Sequence, residues 1–157
     1  MVAHPTGRRC GVADTGGFLR NPAVEVPAGP GQEPITGGLL LSQANVPGIE
    51  TCLGAITMTA GTVSADAVSH DTNEVMYVAA GRGELRTDTA VIPFATGDAI
   101  FIPAHAWHWL ANTGESDLVS VFSFPTPERP PSRSRPVTTR SQTQDSEAEP
   151  HADTAPR

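Results

Sequence analysis

The chain has 157 residues, room for one domain, and no apolar run approaches the ~20 residues that span a membrane. Aromatic residues make up 5% of it, so the core is expected to be aliphatic, and the formal net charge is −7. Residues 35–125 hold nine of the 17 acidic residues but two of the ten basic ones, Arg82 and Arg86, which makes nucleic acid and anionic membranes unexpected partners.

Residues 1–20 combine charges and glycines without an apolar h-region, so we expect a flexible N-terminal arm, no secretory signal and a cytoplasmic location. Short apolar runs between turn residues then predict strands and no helix; these are Gly38–Ser42, Thr51–Thr59, Ala67–His70, Glu74–Ala79, Gly83–Arg86, Ala99–Pro103, Trp107–Ala111 and Leu118–Phe124. Residues 126–157 are rich in Pro, Ser, Thr and charges, which predicts a disordered tail. The folded domain is therefore predicted at residues 21–125, as an antiparallel all-β sandwich or barrel.

The segment Ala67–Ala79 carries a histidine and a glutamate on either side of a turn. Alternate residues of a strand share a face, so His70 lies on the face of Val68, and Glu74 on the face of Met76. A tight hairpin then places His70 and Glu74 side by side among apolar neighbours. A carboxylate there is costly unless it is paired or bound to a cation. Both a buried Glu–His ion pair and a pair of metal ligands fit this pattern.

The segment Gly97–Asn112 adds a second histidine, His108, with Trp107 and Trp109 on the opposite face. Taken alone, His108 is more typical of a core histidine than of a ligand. Two histidines and one carboxylate on neighbouring hairpins, however, form the 2-His-1-carboxylate set. That set suits non-haem Fe(II) and leaves coordination positions open for other molecules.

The spacing around the first hairpin resembles the first motif of the cupin superfamily, whose members are small jelly-roll barrels with a metal in the interior. His70, three residues, Glu74, six residues and Gly81 match that motif from its second histidine onward. The motif's first histidine is replaced by Val68.

The second cupin motif is similar to the segment that starts at Gly97, in which five residues separate Gly97 from Pro103, and His108 and Asn112 follow. His105 stands where glycine is usual in the motif. The two motifs cover residues 60–112, and the resemblance implies a cupin jelly-roll β-barrel with disordered N- and C-terminal tails. It also implies a homodimer.

With Val68 in place of a histidine, the resemblance implies a reduced ligand set of His70, Glu74 and His108. This set is similar to that of the iron-dependent phosphonate epoxidase, a cupin that uses only His, Glu and His. One divalent metal is implied, with Fe(II) favoured over Zn(II), Mn(II) or Ni(II). A metal-free protein is the alternative, since some cupins with eroded ligands bind no metal.

His105 is a candidate general base, substrate contact or surrogate ligand, with an exposed turn histidine as an equally good interpretation. Trp107 and Trp109 are expected in a dimer interface or beneath an N-terminal strand, because exposed indoles would form an unexplained apolar patch. Side chains expected to line the pocket, with core packing as the alternative for each, are Val68, Met58, Met76 and Phe101.

The leading functional hypothesis is an Fe(II)-dependent oxygenase or oxidase that acts on a small, largely apolar molecule. The first alternative is a non-redox metal-dependent cyclase, isomerase or lyase, like the cupins of polyketide pathways. The second is a cupin that binds a small molecule without turning it over. The absence of lysine from the sequence excludes Schiff-base chemistry on a lysine, and its exclusive use of arginine is typical of a GC-rich bacterial genome.

Overall fold

Residues 34–137, the part of the chain that the computed structural model describes, form ten strands joined by turns and short loops. No helix in this range is long and apolar enough to cross a membrane. The strands are β1 (Ile35–Leu41), β2 (Cys52–Met58), β3 (Asp66–His70), β4 (Glu74–Ala80), β5 (Arg82–Arg86), β6 (Val91–Ala95), β7 (Ala99–Ile102), β8 (Trp109–Asn112), β9 (Leu118–Phe124) and β10 (Ser132–Pro136). The predicted N-terminal arm, residues 1–20, lies outside the described residues.

The strands pair antiparallel in two groups that enclose one interior. The first sheet has the order β1-β2-β9-β4-β7. On the other side β6-β5-β8 and β10-β3 are joined by the isolated bridges Val68↔His108 and Val63↔Ala111. The antiparallel all-β fold predicted from the short, regularly spaced strands is therefore confirmed, as is the jelly-roll barrel that the family resemblance implied.

Strict alternation on β4 directs one row of side chains into the interior. Glu74, Met76 and Val78 are buried, whereas Val75 and Tyr77 are exposed, as the two-residue period of a strand requires. The buried apolar cluster between the sheets draws on both of them and comprises Met58, Met76, Val78, Leu85, Phe94, Ile102, Leu110 and Leu118. Glu74 is the inward residue at the start of β4, so the fold places its carboxylate in this interior.

Each of the eight predicted strands overlaps an observed strand, but β6 and β10 were not predicted. Both are edge strands, on which proline and charged side chains are tolerated. Strand β6 includes Pro93 and directs mainly Phe94 inward.

Strand β10 corrects the prediction that residues 126–157 are disordered, because residues 126–137 belong to the ordered fold. All five residues of β10 are exposed, yet it pairs with β3 from Ser132↔His70 to Pro136↔Asp66. A backbone ladder, rather than burial of apolar side chains, therefore holds this strand in place. The rest of the predicted tail, residues 138–157, lies outside the described residues.

Candidate metal centre

Three side chains meet inside the barrel: His70 at the end of β3, Glu74 at the start of β4, and His108 just before β8. All three are buried, with exposed fractions of 7%, 8% and 5%. Glu74 Oε2 lies 3.4 Å from His70 Nε2 and 3.5 Å from His108 Nε2. One potential ligand atom from each residue lies within 4.8 Å of the other two. The structure thus brings together the three residues of the predicted ligand set.

The ring of His108 is held by the backbone two residues before it. His108 Nδ1 lies 2.9 Å from the carbonyl oxygen of Ala106. A carbonyl oxygen only accepts hydrogen bonds, so Nδ1 carries the proton. In the neutral ring Nε2 is then unprotonated, and its lone pair is free on the side of the ring nearest Glu74.

The ring of His70 is fixed in the same tautomer by a residue of β10. The Ser132 hydroxyl donates its single proton to the carbonyl oxygen of Pro130 at 2.8 Å. Ser132 Oγ must therefore accept the 2.7 Å hydrogen bond that it shares with His70 Nδ1. The proton of neutral His70 lies on Nδ1, and Nε2 keeps its lone pair beside Glu74.

These two tautomers leave three electron-pair donors, two imidazole nitrogens and one carboxylate oxygen, around one point. Glu74 Oε2 is buried and has no hydrogen-bond donor among residues 34–137. Burial raises the pKa of Glu74, but hydrogen bonds and positive charge from His108 and His70, which require protons on their Nε2 atoms, outweigh it and hold the pKa of this carboxyl below its ordinary value. An ionised carboxylate facing two lone pairs needs a cation, either a metal ion or extra protons on the imidazoles. The donor set fits a divalent metal whose ligand histidines are oriented through Nδ1.

A cavity of about 150 Å³ adjoins the three residues. Its wall is mainly apolar and includes three large aromatic side chains, Trp109, Phe122 and Phe124. The ring of Phe124 packs edge-on against His70, with 4.9 Å between the ring centroids. A small apolar molecule in this cavity would lie directly beside the cluster.

Of the four residues that were predicted to line the pocket, two line the cavity and two do not. Val68 and Met76 line the cavity. Met58 does not, because it is packed in the apolar cluster between the sheets. The prediction for Phe101 is wrong, since its side chain is 61% exposed and the adjacent Ile102 points inward instead.

His105 lies outside both the cavity wall and the cluster that could hold a metal. Its side chain is exposed, with Nδ1 3.6 Å from Asp71 Oδ1 and 3.4 Å from Arg133 Nη2. Its φ of 65° is in the left-handed region, which favours the glycine usual at this motif position. The backbone N–H of His105 donates to the His70 carbonyl at 2.7 Å. The residue therefore anchors the loop before His108 to β3, and the exposed-turn interpretation is the one that the geometry supports.

Strand β10 also contacts one of the two tryptophans, and the other lines the cavity. The guanidinium carbon of Arg135 lies 4.5 Å from the centroid of a Trp107 ring, and Trp109 lines the cavity. The expectation that both indoles face away from the site is wrong for Trp109. The homodimer stays a prediction.

Two residues that contact the site were missed by sequence reasoning, Ser132 behind His70 and Arg129 in the cavity wall. Both belong to the stretch that composition assigned to a disordered tail. The sequence showed only that the chain continues for 33 residues beyond β9 (125–157). The length of this segment does not predict that any part of it is ordered.

Residues 54–124 match the protein-family model described as Cupin domain. No curated protein matches the chain in sequence.

Solved structures with the same fold include enzymes and a cupin-like protein. The polyketide cyclase RemF from Streptomyces resistomycificus is 20% identical, with a TM-score of 0.57 over 73% of this chain and 80% of that one. A cupin-like protein from Thermotoga maritima is 18% identical, with a TM-score of 0.59 over 68% of this chain and 79% of that one. The Lactobacillus farciminis oxalate decarboxylase is 19% identical, with a TM-score of 0.58 over 66% of this chain and 32% of that one. At these identities the similarity establishes the fold alone.

Proposed function

We propose that this chain, whose residues 54–124 match the Cupin domain model, is a metal-dependent enzyme that acts on a small, largely apolar molecule. His70, Glu74 and His108 would hold one divalent ion, with Fe(II) favoured, and the reaction would be an oxidation by dioxygen. Two histidines and one carboxylate are the ligand set of non-haem Fe(II) oxygenases.

One observation carries this proposal: both imidazoles are fixed with Nδ1 protonated, so that three lone pairs converge on one point. A buried Glu–His ion pair would need a proton on an Nε2 aimed at Glu74. The two Nε2–Oε2 distances, 3.4 and 3.5 Å, are long for a hydrogen bond, and Oε2 has no hydrogen-bond partner among the described residues. The arrangement therefore favours a metal ion over an ion pair.

The protein's own residues would prepare the site in three ways. Ser132 and the Ala106 carbonyl orient the two imidazoles. The aromatic wall excludes water and binds the apolar part of a substrate. A divalent ion held by such ligands supplies activation of dioxygen or polarisation of a substrate oxygen.

A non-redox reaction, cyclisation or isomerisation, is the second candidate. It is supported by the flat faces that Trp109, Phe122 and Phe124 offer to an aromatic or polyene substrate. A structural neighbour is itself named a polyketide cyclase. In this case Zn(II), Mn(II) or Ni(II) would serve as well as Fe(II), and no dioxygen would be consumed.

Metal binding is tested first, by anaerobic titration of the full-length chain with Fe(II) and Zn(II), followed by elemental analysis after desalting. We expect one equivalent per chain, and a loss of at least about tenfold in affinity for Glu74→Gln. Glu84→Gln is the matched control, because this carboxylate pairs with Arg86 away from the cluster. Equal metal binding by wild type and Glu74→Gln would leave the proposal without support and favour a metal-free binding protein.

The two reaction classes are then separated with the Fe(II) and Zn(II) forms. Small aromatic acids are supplied with and without dioxygen, while oxygen uptake and products are followed. Turnover only with Fe(II) and dioxygen supports the oxygenase. Turnover with Zn(II) under anaerobic conditions identifies the non-redox enzyme.

A further inference from the structure

The cavity wall contains one cation, Arg129, in the connection between β9 and β10. Its guanidinium carbon lies 5.2 Å from the ring centroid of Phe122, another wall residue. The aromatic face holds the charge at the cavity while the rest of the side chain is exposed. Arg129 is thus placed to meet a molecule that enters the cavity.

The charge of Arg129 has no acidic partner among residues 34–137. Three other arginines of the described fold are paired, Arg86 with Glu84, Arg135 with Asp88, and Arg133 with Asp71. Arg82 also makes no ion pair with the described residues, but it lies outside the cavity wall. The exposed Asp66 also lines the cavity but makes no ion pair with Arg129. A guanidinium presents its N–H donors in a planar arrangement that suits a carboxylate. The N–H donors of Arg129 are available to bind one.

The size and wall of the cavity define the rest of the ligand. A cavity of about 150 Å³ is large enough for benzene. Phe122, Phe124 and Trp109 offer ring faces and edges against which a single aromatic ring can pack. A one-ring compound fits this space, and its anionic group would extend toward Arg129.

Arg129 also changes the electrostatics of the site. The barrel segment is acidic, with nine of the 17 acidic residues in 35–125, and would by itself repel an anion. A divalent ion beside Glu74 would leave about one net positive charge, Arg129 adds a second, and the exposed Asp66 in the same wall offsets one of them. The local sign therefore favours an anionic molecule even though the protein as a whole is negative.

From these observations, and resting on the proposed function, we infer that Arg129 selects the substrate class: a one-ring aromatic molecule that carries a carboxylate or a similar oxyanion. The Arg129 guanidinium binds the anionic group. The ring lies against Phe122 and Phe124, next to the His70–Glu74–His108 cluster.

The experiment compares benzoate with benzamide, its neutral analogue of the same shape, by calorimetric titration of the full-length chain with and without Zn(II). We expect wild type to prefer benzoate. Arg129→Gln should weaken benzoate binding about tenfold and leave benzamide binding unchanged, and Arg129→Lys should restore part of the difference. Arg82→Gln is the control, since Arg82 is exposed and outside the cavity wall. Zn(II) affinity should be the same in all four proteins.

Benzoate binding that is undetectable in wild type, or unchanged in Arg129→Gln, would overturn the inference. A protein that fails to bind Zn(II) counts against the proposed function instead, and the titrations without metal still decide the role of Arg129.

Discussion

Replacing Ser132 by alanine tests the orientation of the candidate metal centre from outside the ligand set. Ser132 Oγ accepts the Nδ1 proton of His70 at 2.7 Å while donating to the Pro130 carbonyl at 2.8 Å. Without the hydroxyl, the buried Nδ1–H loses its partner. The imidazole then becomes free to turn or to place its proton on Nε2, the nitrogen that would face the metal.

The magnitude follows from the position of Ser132. Loss of a hydrogen-bond partner behind a metal ligand lowers metal affinity by about 10- to 100-fold. Strand β10 is exposed along its whole length, so water can enter and accept the proton in the variant. We therefore expect the lower limit, about tenfold or ~1.4 kcal/mol of binding free energy.

The assay is a competition titration with Zn(II) and a chromophoric chelator, together with the imidazole ¹⁵N shifts of the metal-free protein. Ser134→Ala is the matched control, because Ser134 lies on the same strand and pairs with Val68 rather than with His70. Ser132→Thr, which keeps a hydroxyl, should restore affinity. If Ser132→Ala binds Zn(II) like Ser134→Ala and His70 keeps its tautomer, the reasoning on the His70 network is refuted.

Three further predictions concern the cluster itself. Val68→His places an imidazole directly across from His108, the residue with which Val68 forms a β-bridge. The variant should bind Zn(II) about tenfold more tightly or better in the same titration. Unchanged affinity would show that residue 68 cannot reach the metal. Lowering the pH from about 7.5 to about 5.5 should weaken Zn(II) binding because protons compete for imidazole nitrogens, and a flat calorimetric profile would argue against histidine ligation. Because the pKa of Glu74 is below its ordinary 4.5, its stabilising effect on the metal-free fold is complete above that pH and is lost as the pH falls through the lowered value. Thermal melts should therefore show a steeper acid loss of stability in wild type than in Glu74→Gln, and parallel curves would contradict this.

The candidate cluster could be predicted because strand alternation and the length of the hairpin turn determine which way neighbouring side chains point. His70 and Glu74 lie on either side of a short turn, and a carboxylate between apolar neighbours identifies the inward face of β4. Phe101 could not be assigned in the same way. Strand β7 reads Ala-Ile-Phe-Ile without a polar residue to mark the outer face, and the outward residue is Phe101.

Strand β10 could not be predicted, because it has no apolar alternation and its pairing with β3 uses backbone groups. Its sequence, Ser132–Pro136, is polar and exposed, and it is ordered by pairing with β3. Composition measures how much apolar surface a segment can bury, whereas an edge strand is held through backbone groups that every sequence carries. Ser132 and Arg129 were missed together for this reason.

The site is built from two parts of the chain, residues 54–124, which match the cupin domain, and the segment that follows them. The family similarity describes the first part only. The three candidate metal ligands lie inside residues 54–124, the part that matches the cupin domain. Arg129 and Ser132 lie beyond it, yet one contributes to the cavity wall and the other holds a candidate ligand. A barrel with the same ligands but a different segment after β9 could hold the same metal and would lack this cation at the cavity. If the proposed function and the inference on Arg129 both hold, the cupin motifs would supply the metal ligands, and the segment that follows β9 would orient one of them and set the choice of substrate.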